Sequence, residues 1–152
     1  MKKIRIGLIL LLMLGLLSGC KGKTPLSPEG FTVIMEEAGF AVEDVTSARE
    51  TDGLATTLLV AEGEHYGMEF YQLTDEATAQ ALFFSGKNVF EEEHRTQSVS
   101  VSLTMPHYNY YAFNAEGDFH LIARVADTMI YCTAEKEYRS EIQDLVKKMG
   151  YK

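Results

Sequence analysis

Few side chains in this 152-residue sequence combine a reactive type with a useful spacing. An ionised thiol is the strongest nucleophile among ordinary side chains, and the chain has two cysteines. Cys20 follows Leu17-Ser18-Gly19, a bulky aliphatic residue and two small ones. Cys132 ends the apolar stretch Met129-Ile130-Tyr131 and reads as a small core filler whose thiol stays protonated. The four histidines, His65, His94, His107 and His120, show no metal-ligand spacing, and Glu91-Glu92-Glu93-His94 reads as a solvated charge run. No metal and no cofactor is expected. Arg124 and Asp127 flank a change in apolar parity and read as a structural pair beside a turn. The sequence contains no glycine-rich phosphate loop, nucleophile elbow, zinc-protease motif or paired CxxC, so a non-enzymatic role is expected. The most suggestive stretch for binding is His107 to Phe113, with Tyr108 and Tyr110 on one face of a strand and Tyr111 and Phe113 on the other. Whichever pair points outward would offer rigid amphipathic contact area, and the other pair is core.

The elements that must position these residues follow from periodicity. Ser27-Pro28 opens a helix in the favoured cap-then-proline order, and Phe31, Ile34, Met35 and Ala38 repeat at helical spacing before Gly39 and Phe40. Ile142, Leu145, Val146 and Met149 precede Gly150 and Tyr151 in the same way. Both ends predict a left-handed glycine cap with an apolar latch, Phe40 on Met35 and Tyr151 on Val146. Between them, residues 41–46, 55–61, 66–73, 98–105, 108–113 and 118–125 read as strands, with a further apolar stretch beyond a bulge or tight turn near Ala126 to Thr128. Hairpins are expected of 55–61 with 66–73 and of 108–113 with 118–125. Thr74 is expected to cap a middle helix with Ala77, Ala81 and Phe84 on its inner face and Gly86 as a weak point. In the 98–105 run, Val99, Val101, Leu103 and Met105 alternate with Ser98, Ser100, Ser102 and Thr104, which predicts an apolar face inward and a wet hydroxyl face. The expected fold is α+β: a mainly antiparallel sheet with about three helices on one face, a two-layer sandwich.

The first residues place that domain in a compartment. Lys2, Lys3 and Arg5 precede a dozen residues, Ile6 to Leu17, that are apolar apart from two glycines, the layout of an export signal and too short for a membrane span. Leu17-Ser18-Gly19-Cys20 resembles the lipobox of bacterial lipoproteins. The resemblance covers residues 1–20 and implies lipidation at Cys20, cleavage before it, and anchoring to the extracytoplasmic face of the cell membrane through acyl chains such as palmitate. The division expected is a signal peptide at 1–19, the lipidated cysteine and a short tether at 20–27, and one domain at 28–152. With Cys20 lipidated, Cys132 has no partner within the chain, so packing holds the fold together.

The formal net charge is −8, and residues 1–19 hold three of the 14 basic residues and none of the 22 acidic ones. The mature chain therefore carries 11 basic against 22 acidic residues, a net −11 that argues against nucleic acid as a partner. The expectation is a membrane-anchored, non-enzymatic binding module for a protein or an envelope polymer. Capture of a small ligand for a transporter is the alternative, and an envelope hydrolase a more remote one, needing serine, histidine and aspartate to converge from distant positions.

Overall fold

A computed structural model describes residues 22–94 and 99–152. The expected signal peptide and lipidation site, residues 1–20, lie outside the described residues. Helix α1, Pro28–Glu37, begins where the Ser27 hydroxyl accepts the Gly30 N–H at 3.1 Å, with proline in the first turn. Phe31 and Met35, one turn apart, are its buried residues. The chain leaves α1 through Gly39 at φ 92°, and the Phe40 N–H returns to the Met35 carbonyl at 3.0 Å. At the other end of the domain, α3, Arg139–Lys148, closes in the same way: Gly150 has φ 85° and the Tyr151 N–H reaches the Val146 carbonyl at 3.0 Å. Only glycine takes that backbone turn without strain, and the apolar residue after it is buried at both ends.

The strands are β1 Ala41–Asp44, β2 Ala55–Glu62, β3 Gly67–Leu73, β4 Val99–Met105, β5 Tyr108–Ala115, β6 Asp118–Val125 and β7 Thr128–Glu135, with α2, Glu76–Glu93, between β3 and β4. They form one antiparallel sheet in the order β1-β2-β3-β7-β6-β5-β4. Two meanders are thus joined where β3 pairs with β7. Both expected hairpins form. The parity change after Val125 is a tight turn: Val125 pairs with Thr128 around Ala126 and Asp127, and Ala126 sits at φ 50°.

The fold is α+β as expected, but its helices do not share one face. Side chains alternate across a strand, so the sheet has two separate apolar sides. Tyr108, Tyr110, Phe119, Leu121, Ile130 and Cys132 pack under α1 and α3. Tyr111, Phe113, Ile122 and Met129 pack under α2 on the opposite side. The molecule therefore has three layers where it is thickest.

Helix α2 departs from the sequence reading in two ways. Its cap is Asp75, whose carboxylate accepts the Thr78 N–H at 2.8 Å, and its buried residues are Ala79, Phe83 and Phe90 in place of Ala77, Ala81 and Phe84. Alanines are too small to mark which face is inward, and the two phenylalanines decide it. Gly86 does not interrupt the helix. It lets α2 approach β6, since a Cβ there would lie 2.9 Å from the Ile122 side chain.

Candidate binding edge

The aromatic strand is core on both sides. Tyr108, Tyr110, Tyr111 and Phe113 are all buried, so neither pair supplies the exposed surface expected of one of them. Coverage of both sheet faces is the physical reason. The Tyr108 hydroxyl donates to the Tyr151 carbonyl at 2.8 Å and ties β5 to the end of the chain. Burial pushes the Cys132 thiol up to about 12, as suits an inert filler.

Arg124 is 0% exposed and fully engaged. Its Nε donates to Asn109 Oδ1 at 2.7 Å, one terminal nitrogen to Glu76 Oε1 at 3.1 Å and the Ala126 carbonyl at 2.8 Å, and the other to the Pro106 carbonyl at 2.8 Å. A planar fork of five donors suits such a junction. It clamps the β4–β5 turn, the β6–β7 turn and the start of α2 together. His107 lies 2.8 Å from the same Glu76 carboxylate, and its hydrogen bond, then that of Arg124, holds the Glu76 carboxyl below its ordinary value. Asp127 accepts from Gln72 at 3.1 Å. These groups are structural.

Folding brings His94 and His120 to a ring separation of 5.3 Å, with His120 stacked on Phe113 and its Nδ1 3.0 Å from the Thr133 hydroxyl. Burial, then the neighbouring His94, lowers the His120 pKa. No third ligand joins them: among the described residues no group of three His, Cys, Asp or Glu side chains could hold a metal ion.

The unexpected surface is β4. Among the described residues it pairs only with β5, which leaves its outer backbone edge open. Val101, Leu103 and Met105 are 48%, 50% and 60% exposed, and the alternating Ser100, Ser102 and Thr104 are exposed as well. The expected arrangement, apolar face in and hydroxyl face out, fails because β4 is the outermost strand and both of its sets of side chains are left exposed. An open edge without charge is a ready template for another strand. The sequence signal that would have marked it is the lack of any charged residue from Ser98 to Met105.

Beside the Val101 end of β4, on the side covered by α1 and α3, lies a cleft of about 120 Å³. Val101, Tyr110 and Asn114 form its sheet side, and Arg139, Gln143 and Lys152 line it from the α3 side and the chain end. Two buried polar atoms of residues that line it, the Tyr110 hydroxyl and the Asn114 side-chain carbonyl, make no hydrogen bond among the described residues. Gln143 is near Tyr110 but does not reach bonding geometry. A second cleft, about 270 Å³, lies on the other side of the sheet under the β1–β2 connection, with Leu54, Leu58, Leu73 and Leu82 on its apolar part and Arg49, Glu50, Thr51 and Asp52 on its polar part. Its Arg49 and Tyr71 both donate to the Glu69 carboxylate.

No family model and no curated protein matches the chain. Its fold is similar to that of a crystal structure described as a GTP binding regulator from Thermotoga maritima, with a TM-score of 0.50 and 12% identity over 82% of this chain and 84% of that one. At that identity the likeness concerns the fold alone.

Proposed function

We propose that the chain is a lipoprotein, anchored through lipid on Cys20 to the extracytoplasmic face of the cell membrane, whose domain is a non-enzymatic module that binds an extended polypeptide along β4. The observation that carries the binding half is the seven-residue, charge-free edge with three half-exposed apolar side chains in a row. Strand addition to such an edge draws affinity from main-chain hydrogen bonds and selectivity from alternate side chains. The anchoring half rests on the lipobox-like Leu17-Ser18-Gly19-Cys20. Small-ligand capture is the second reading, favoured by the leucine-lined cleft, which is slightly smaller than the usual range of about 300–1,000 Å³ for ligand sites.

Metabolic labelling with an alkyne fatty acid tests the anchor: label and membrane recovery are expected for the natural chain and lost in Cys20→Ala. A photo-crosslinking residue at position 103, compared with one at position 43 on the opposite edge, tests the surface. Crosslinks to another polypeptide confined to position 103, and suppressed by Met105→Lys, are the expected result. Equal crosslinking at both edges would sink the edge reading while leaving the anchor intact.

A further inference from the structure

We infer that the segment received by β4 is acidic, with a carboxylate near its carboxyl-terminal end seated in the 120 Å³ cleft beside Val101; this rests on the edge-docking reading above. The cleft joins the edge directly, because Val101 belongs to both. Arg139 and Lys152 bring two cations to it in a mature chain of net −11, and among the described residues neither forms an ion pair.

Within the cleft, Tyr110 is 2% exposed and its hydroxyl lacks a partner. A buried polar atom left unpaired costs about 1–3 kcal/mol, so a ligand that supplies its partner recovers free energy. A carboxylate suits the Tyr110 donor and both cations. The unpaired Asn114 carbonyl needs a donor, which the N–H of an acidic residue in a peptide carries beside its carboxylate. The volume equals roughly four waters at about 30 Å³ each, enough for a short acidic side chain.

Charge also decides between occupants. A second copy of this chain would place its own Arg139, Lys152 and Lys23 near those of the first, cation against cation. An acidic segment meets them with opposite sign. Because every ladder in the sheet is antiparallel, an added strand is expected to run against β4, which brings its carboxyl-terminal end to Val101.

Both cores close within residues 26–151, so the mature chain with Cys20→Ser can be studied in solution. The probes are the hexapeptide acetyl-Thr-Val-Ser-Val-Thr-Asp-amide and its counterpart ending in Asn, titrated into the isotopically labelled protein and followed by amide shifts. The expected result is that the Asp peptide shifts Val101, Leu103 and Arg139 together and binds about tenfold tighter than the Asn peptide. That preference should vanish in the Arg139→Gln, Lys152→Gln double variant, whereas Leu103→Lys should weaken both peptides. Equal binding of the two peptides overturns the acidic subsite and leaves edge docking standing. No shift along β4 with either peptide overturns both. Shifts along β4 that track protein concentration without peptide make the occupant a second copy and overturn the proposal.

Discussion

The two edges of the sheet are built on opposite plans. β1 is four residues long, carries Glu43 and Asp44, and turns away at once, with Asp44 accepting from both the Thr46 N–H and its hydroxyl and Val45 N–H bonding back to Leu58. β4 is seven residues long and has no charge, and its apolar side chains stand half in water. Short length and charge are the ordinary devices that stop an edge from recruiting another strand. One edge uses them and the other does not, although both belong to one acidic domain. The difference shows that exposure at β4 is a local property of the sequence, since the same sheet is fully capable of a guarded edge.

The contrast can be broken first one strand in from the open edge. Phe113→Ala removes a ring packed between Phe90 and His120, and should cost about 3–5 kcal/mol in urea unfolding. A loss below about 1 kcal/mol would mean that β5 is not core and that the open region is wider than β4. Arg124→Met comes next, at about 3 kcal/mol, because Asn109 and two turn carbonyls lose their donor. Its amide exchange should rise first in the β4–β5 turn, which the guanidinium holds.

Ala126→Gly should stabilise by about 0.5–1 kcal/mol, since glycine takes φ 50° without strain. Leu103→Lys should change unfolding free energy by less than about 0.5 kcal/mol, as for an exposed site, while weakening partner binding. Equal losses of stability at Leu103 and Phe113 would erase the distinction between edge and interior. Last, His120→Gln should flatten the pH dependence of stability. The folded state holds His120 below its ordinary 6.5, so the unfolded chain binds more protons as pH falls past about 6.5, and stability drops from there downward. Equilibrium unfolding at several pH values reads that slope directly.

Local chemistry made much of the fold legible. Ser27-Pro28, the two glycine-latch endings and the two hairpins rest on residues within a few positions of one another. Double coverage was also written in β5, where Tyr110 and Ala112 lie on one side and Tyr111 and Phe113 on the other, all apolar. A strand wet on one face would not carry both sets. What periodicity cannot report is which strand lacks a neighbour: the alternation from Ser98 to Met105 is the same for an edge strand as for a half-buried interior one. The cleft was equally hidden, because Tyr110, Arg139 and Lys152 meet only after the chain has closed on itself.

Lys23 would give the proposed lipid anchor a geometry. Its ammonium donates to the Gly150 carbonyl at 2.8 Å and lies 4.5 Å from the centre of the Tyr108 ring, whose residue pairs with Met105 at the end of β4. The tether expected over 20–27 is therefore partly moored to the domain. With lipid on Cys20, only three residues, about 11 Å of extended chain, would separate the anchor from that mooring. So short a leash would restrict tilt and rotation as well as height, and under the proposed anchoring it would hold one end of the open edge near the bilayer. The search for a partner rooted in the same membrane then becomes a two-dimensional one, in which even a weak strand pairing gains from the high local concentration that shared anchoring provides.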